Sequence, residues 1–157
     1  MYYKIVTEKS FFTDLYNNID VFNIPNQTVF SAPEKAKYKP DDPKCLINKN
    51  CFHFSEGAFD TMLWHTILIH HILDATIYKI KPLSEVTKAR CNDCDGIYQC
   101  GANKIMILEK QNLDNMYEQA IQEYYQNPNK YTNFKINLEK WKKHEPTVFY
   151  LFKSYSI

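Results

Sequence analysis

The segment from Cys51 to Glu109 holds the features that most constrain how this chain can fold. An apolar stretch of helical length reaches to about Leu73, and short runs rich in β-branched and aromatic residues follow it, separated by Pro and Gly turn signals. A helix that is apolar around much of its circumference is normally buried, and short apolar runs between turn signals are typical of strands. The segment therefore predicts a sheet with one buried, central helix.

Strand-like runs occur on both sides of this helix. Strands are predicted over Tyr2–Thr7, Val21–Phe22, Thr28–Phe30, Phe52–Phe54, Ala75–Ile80, Ile97–Cys100 and Ile105–Leu108. The helix is predicted to begin at Ser55 as its N-cap, because a Ser side chain accepts hydrogen bonds from the first backbone N–H groups of a helix. Residues 83–89 are predicted to be irregular or to form one helical turn. Only Gly101–Asn103 separates the last two strands, so a β-hairpin is predicted there.

A helical periodicity begins after Lys110. Apolar residues recur at helical spacing behind Asn112, a favourable N-cap, and Asn127-Pro128 ends the pattern. Two further helices are predicted over 134–141 and from Pro146. Short helices of this kind, one after another, predict a C-terminal helical segment.

The predicted fold is therefore α+β: a small mixed or antiparallel sheet with one buried central helix, followed by a C-terminal helical segment. A length of 157 residues fits one domain. We expect a single domain over 1–157, with an α/β core over 1–110 and a helical tail over 111–157 that packs on it.

The net charge is +1, and basic and acidic residues are spread evenly along the chain. Nucleic-acid-binding proteins normally carry a basic patch, so this balance argues against a nucleic-acid partner. The apolar stretch is interrupted by His65, His70 and His71 and is too short to span a bilayer. The N-terminus lacks the features of a signal peptide, and five cysteines without such a signal are typical of a reducing compartment. These features predict a cytoplasmic protein without membrane contact.

The sharpest cluster of metal-ligating residue types is Cys91-x2-Cys94 followed by Cys100. A Cys-x2-Cys pair on a turn can direct two thiolates at one zinc ion, which needs two further ligands for tetrahedral coordination. Cys100 with either Cys51 or His53 can complete such a set. The alternatives are ordinary reduced thiols, which the single Cys-x2-Cys pair favours, or a redox-active pair.

The order of strands in the central segment also carries a resemblance. A strand with the sequence Phe52-His53-Phe54-Ser55 precedes the helix, Ile77-Tyr78-Lys79-Ile80 follows it, and a later run ends at Glu109. This order resembles the core of ADP-ribosyltransferase-like domains, over roughly residues 1–110. It is also similar to small uncharacterised phage and bacterial domains with a Phe-His motif ahead of a helix.

The first resemblance implies NAD as a cofactor and His53, Ser55 and Glu109 as catalytic residues. The chain departs from that family on its first strand, Tyr2–Val6, which lacks the Arg or His that holds NAD. This departure puts transferase activity in doubt and makes an inactive, binding-only relative an equal alternative.

No Gly-rich phosphate loop, nucleophile elbow or kinase signature occurs in the sequence. Lys, Asn, Ile and Tyr are abundant, as AT-rich genes favour, which points to a low-GC bacterium, one of its phages or a large virus. The favoured function is a small cytosolic protein-binding module, for which the absence of a catalytic motif argues more than it does for an enzyme, and one concrete version is a phage or mobile-element inhibitor of a host defence protein. Its tyrosines suit a protein interface. The alternative is an ADP-ribosyltransferase-like, NAD-binding enzyme or its inactive relative.

Overall fold

The computed structural model describes residues 1–7, 19–32, 51–69, 75–90 and 98–127. Within these ranges the strands are β1 (Tyr2–Val6), β2 (Val29–Ser31), β3 (Phe52–Glu56), β4 (Thr76–Pro82), β5 (Thr87–Arg90), β6 (Tyr98–Ala102) and β7 (Lys104–Lys110). The helices are α1 (Ala58–Ile69) and α2 (Leu113–Gln126). The helices predicted after residue 127 and the turn that carries Cys91 and Cys94 lie outside the described residues.

All seven strands form one antiparallel sheet with the order β2-β7-β4-β1-β3-β6-β5. With α1 and α2 this makes the protein an α+β fold, as predicted. The predicted strands at the N-terminus, on both sides of α1 and at residues 105–108 are confirmed, with ends that differ by at most two residues. β5 was predicted to be irregular; it is a strand because it pairs with β6 along its whole length.

The sheet curls strongly. β6 and β7 are joined through Asn103 alone, yet β3, β1 and β4 lie between them in the sheet. In a flat sheet these two strands would lie about 19 Å apart, at about 4.8 Å per strand, which one connecting residue cannot span. The curl also brings the rings of Phe30 on β2 and Phe52 on β3 to a centroid distance of 6.5 Å.

The predicted hairpin is therefore wrong. β6 pairs with β3 and β5, and β7 pairs with β4 and β2. The chain turns a corner at Asn103 because Cys100 and Ala102 pack beside Phe52 and Phe54 in the apolar interior of the curl.

The two faces of the sheet have separate cores. The concave face, inside the curl, carries a cluster built from Val6, Phe54, Tyr78, Ile80 and Ile107 with their neighbours. The convex face carries Tyr3 and Ile77, and both helices pack there. α1 lies against β1 and β3 and contacts α2. Successive side chains of a strand point to opposite faces of the sheet, so neighbouring residues of a strand contribute to different cores.

Residues 19–30 cover part of the concave face. The Tyr78 hydroxyl donates to the carbonyl oxygen of Val21 at 2.8 Å and accepts from the N–H of Ile24 at 3.1 Å. The predicted strand at Val21–Phe22 is wrong, because the carboxylate of Asp20 accepts from the N–H of Phe22 and folds the chain into a turn.

α2 begins after Asn112, whose side chain accepts from the N–H of Asn115 at 3.1 Å. Its buried residues are Met116, Tyr117 and Ala120, so the predicted cap and the centre of the predicted apolar stripe are confirmed, whereas Leu113 at the start of the stripe is 39% exposed. Neither α1 nor α2, within the described residues, is long and apolar enough to cross a membrane.

Candidate functional site

The predicted residues Ser55 and Glu109 lie in one row across the convex face. Ser55 on β3 is opposite Tyr3 on β1, Tyr3 is opposite Lys79 on β4, and Lys79 is opposite Glu109 on β7. Directly opposed residues of an antiparallel sheet project to the same side. The row therefore places both predicted residues on one face, about 14 Å apart at three strand spacings. Ser55 is buried, whereas Glu109 is exposed.

His53 lies two residues before Ser55 on β3 and projects to the same face, because side chains alternate along a strand. It is opposite Gly101 on β6 and is half-buried. His53 and Ser55 are therefore neighbours, while Glu109 lies three strands away. The catalytic role that the resemblance implies for these three residues stays a prediction.

Tyr3 occupies the middle of this row. Its hydroxyl contacts Oε1 of Gln119 at 3.4 Å and Sδ of Met1 at 3.7 Å. Burial, together with the charges of Glu123 and Glu109, raises the pKa of Tyr3 above its ordinary value. The hydroxyl is therefore held neutral and acts as a hydrogen-bond donor.

The N-terminus of α1 is capped by a residue of α2. The Glu123 carboxylate accepts from the backbone N–H of Ala58 at 2.8 Å and from that of Phe59 at 3.0 Å. Gly57 has a φ of +79°, and a Cβ there would lie 3.0 Å from Oε2 of Glu123. The predicted Ser55 cap is therefore wrong: β3 continues through Ser55 to Glu56, and the cap comes from Glu123.

Lys4 is a charged residue in the concave core. Its Nζ donates to the carbonyl oxygen of His53 at 2.6 Å, which ties β1 to β3. Burial lowers the pKa of Lys4 to about 8, and the nearby Cys51 thiol acts in the opposite direction. The ammonium is therefore close to its titration point at neutral to mildly alkaline pH.

Cys51 and Cys100 are buried and reduced. Burial raises the pKa of Cys100 to about 11, so that its thiol stays protonated at neutral pH. Cys100 is opposite Phe54, three residues after Cys51, which separates the two cysteines by about 10 Å along the strands. In the described part of the chain no three His, Cys, Asp or Glu residues form a group that could hold a metal. The zinc set of Cys91, Cys94, Cys100 and Cys51 stays a prediction.

Of the elements that the structure describes, α1 and α2 leave one end of the convex face open. Val29 on β2 is opposite Met106 on β7, and Met106 is opposite Lys81 on β4, so these three form a row on that face. Lys104 lies two residues before Met106, and its carbonyl oxygen accepts from the N–H of Leu83 at 2.8 Å. Together these five residues form what we call the lysine-bordered patch.

The patch combines exposed apolar side chains with exposed cations. Val29 is 43% exposed and Leu83 is 40% exposed, whereas Met106 is half-buried between them. Lys81 and Lys104 are exposed. Neither ammonium makes a hydrogen bond or ion pair within the part of the chain that the structure describes. An apolar centre with unneutralised charges at its border is typical of a contact surface.

Sequence reasoning missed the patch, Lys4 and Glu123. Lys4 was assigned to a strand, but its burial follows from the curl and not from its own segment. The patch depends on which strands are neighbours, and that order has no local signal. Only Glu123 left a hint, as the one acidic residue beside the apolar stripe of α2 near Ala120.

Comparison of the chain with protein-family models, curated proteins and solved structures finds no match.

Proposed function

We propose that this protein is a protein-binding module and that the lysine-bordered patch is its contact surface. The observation that carries the proposal is the exposure of Val29 and Leu83 on the open end of a sheet face whose other half is covered by helices. Exposed large apolar side chains that cluster on a regular, rigid surface are a common mark of protein contact sites.

The protonation states of Tyr3, Cys100 and His65 support binding over catalysis. The Tyr3 hydroxyl and the Cys100 thiol are kept protonated because burial raises the pKa of each. Burial also lowers the pKa of His65, which keeps its ring neutral, 3.5 Å from the Tyr117 hydroxyl. Groups held in these states serve packing and hydrogen bonding better than nucleophilic or acid–base chemistry.

The finer version of the proposal is an inhibitor, encoded by a phage or mobile element, that blocks a host defence protein. It rests on the abundance of Lys, Asn, Ile and Tyr, which AT-rich genes favour. A cytoplasmic location belongs to this version, since the host target would be met there.

The test is differential affinity capture from the soluble proteins of a low-GC bacterium. The bait is compared with Val29→Glu and Leu83→Glu, and the matched control is Leu113→Glu, because Leu113 is 39% exposed on α2, away from the patch. We expect a stoichiometric partner that both patch variants lose and the control keeps. A capture with no stoichiometric partner for any bait contradicts the proposed function.

A second candidate is the ADP-ribosyltransferase-like enzyme or its NAD-binding remnant. It is favoured by one observation: Ser55 and Glu109 lie in one row on the same face of the sheet. Titration with NAD, followed by calorimetry, tests it. Saturable binding that is lost in His53→Ala and Glu109→Gln supports this function, and the absence of binding at millimolar NAD removes it.

A further inference from the structure

We infer that the partner inserts an apolar side chain flanked by carboxylates into the lysine-bordered patch, so that an acidic segment with an apolar anchor is the recognised element. This inference rests on the proposed function and names the chemistry of the partner. It follows from the distribution of charge around Val29, Leu83 and Met106.

Among the described residues, the cations at this end of the convex face outnumber the anions: Lys81 on β4 and Lys104 on β7 stand against Glu85, which is exposed two residues after Leu83. Lys79 lies further along β4, opposite Glu109. Lys81 is opposite Met106 on the neighbouring strand, one strand spacing away. Lys104 lies two residues before Met106 on the same strand. Both distances are about 5–7 Å, so carboxylates on either side of one anchor residue can reach both ammonium groups.

The apolar centre argues for a protein segment and against nucleic acid. A phosphate backbone is recognised by cations, preferably with arginine, and gains nothing from burying Val29 and Leu83. The chain has a single arginine, Arg90, and a net charge of +1. An apolar anchor, by contrast, removes exactly those exposed side chains from water, and burial of apolar surface is the main source of binding free energy.

The same charges argue against a second copy of this chain as the occupant. A two-fold symmetric dimer would bring the patch against itself, because such interfaces use the same surface on both subunits. Lys81 and Lys104 would then face Lys104 and Lys81 of the other copy. Like charges brought together at an interface disfavour association, so the patch fits an acidic partner better than itself.

The experiment uses three fluorescent probe peptides of equal length and the full chain. One probe alternates Glu with Leu, one replaces Leu by Ser, and one replaces Glu by Lys. We expect anisotropy to report saturable binding of the Glu/Leu probe alone. Val29→Ser should weaken it about tenfold, because the anchor loses its apolar contact. A duplex DNA probe completes the set.

The charge variants have a matched control. Lys81→Gln with Lys104→Gln lowers the net charge by the same amount as Asn115→Glu with Gln122→Glu, whose positions are exposed on α2. We expect the lysine pair of changes to weaken binding of the Glu/Leu probe about fourfold, since each exposed ion pair contributes a factor of about two. The control pair should change the affinity by less than twofold.

Three results overturn the inference. They are equal binding of the Glu/Leu and Lys/Leu probes, binding of the DNA probe that Val29→Ser leaves unchanged, and binding of no probe at all. A photo-crosslinking residue at position 29 or 113 then separates this failure from that of the proposed function. A crosslink to another protein at position 29 keeps the patch as a protein contact surface. A crosslink at position 113 alone keeps protein binding but moves it off the patch. A folded protein that crosslinks at neither position removes the proposed function as well.

Discussion

Replacement of Glu123 should destabilise the protein, because this residue of α2 satisfies the first backbone N–H groups of α1. The carboxylate receives two hydrogen bonds, at 2.8 Å from Ala58 and 3.0 Å from Phe59. A side-chain cap contributes about 1 kcal/mol, and a negative charge at a helix N-terminus adds about 0.3–1 kcal/mol. We therefore expect Glu123→Ala to lower the free energy of unfolding by about 2 kcal/mol, or Tm by about 4–8 °C. Glu123→Gln keeps one acceptor oxygen and should cost about 1 kcal/mol.

The assay is urea unfolding followed by circular dichroism, with Glu118→Ala as the matched control. Glu118 is exposed on the same helix, so the control loses a Glu side chain without losing a cap. It should stay within about 0.5 kcal/mol of the wild type. If Glu123→Ala is no less stable than this control, the carboxylate does not cap α1 and the reasoning is refuted.

Gly57 provides a second, independent check of the same contact. Gly57→Ala places a methyl group 3.0 Å from Oε2 of Glu123 and forces a side chain into a φ of +79°. The positive φ alone should lower the free energy of unfolding by about 1–2 kcal/mol, whether residue 123 is Glu or Ala. The steric part disappears when Glu123 is already Ala. The two changes should therefore be less than additive, and strict additivity in the double variant contradicts the close approach.

Three further outcomes follow from buried polar groups. The pKa of Lys4 is lowered from 10.5 to about 8, so the folded chain loses this proton at a lower pH than the unfolded chain does. Between pH 8 and 10.5 the free energy of unfolding of the wild type should therefore rise relative to that of Lys4→Met, by at most about 3 kcal/mol. A difference between the two proteins that is independent of pH in urea titrations would contradict this. Tyr78→Phe leaves the Val21 carbonyl and the Ile24 N–H without their buried partner. It should therefore lower the free energy of unfolding by about 1–3 kcal/mol, as measured by thermal or urea unfolding. A loss below about 0.5 kcal/mol, which is typical of a surface substitution, would show that the hydroxyl does not hold this segment. The pKa of Cys100 is raised from 9.0 to about 11, so alkylation of this thiol at pH 8 should be about a hundredfold slower in the folded chain than in the unfolded chain. Pulsed iodoacetamide labelling with peptide mass spectrometry measures both rates. Equal rates would show that the thiol is accessible.

The elements that could be predicted are those whose signals are local. α2 begins behind Asn112 and buries Met116, Tyr117 and Ala120, and all of this information lies within one segment. The α+β class follows in the same way from alternating runs on both sides of an apolar helix. The presence of most strands could therefore be predicted, although the residues at which they begin and end could not.

The features that could not be predicted depend on which segments meet. The predicted Ser55 cap is wrong because pairing with Tyr3 keeps Ser55 in β3 and because the true cap, Glu123, lies 65 residues after Ala58 in the chain. The predicted hairpin is wrong because the two runs, although adjacent in the sequence, pair with other strands and not with each other. The patch needs β2, β7 and β4 side by side, and no property of Val29 or Lys81 alone indicates that arrangement.

The position of β7 in the curled sheet also sets the order in which the chain can complete its fold during synthesis. β7 lies between β2 and β4, and β2 is paired with no other strand among the described residues. A nascent chain that has emerged only as far as β5 therefore has β1, β3 and β4 but lacks the strand with which Val29–Ser31 pair, and Phe30 lacks its neighbour Ile105. Closure has to wait for the last strand, so ribosome-bound chains that stop before Lys104 should expose Phe30 to chaperones and proteases, and those that extend past Lys110 should not.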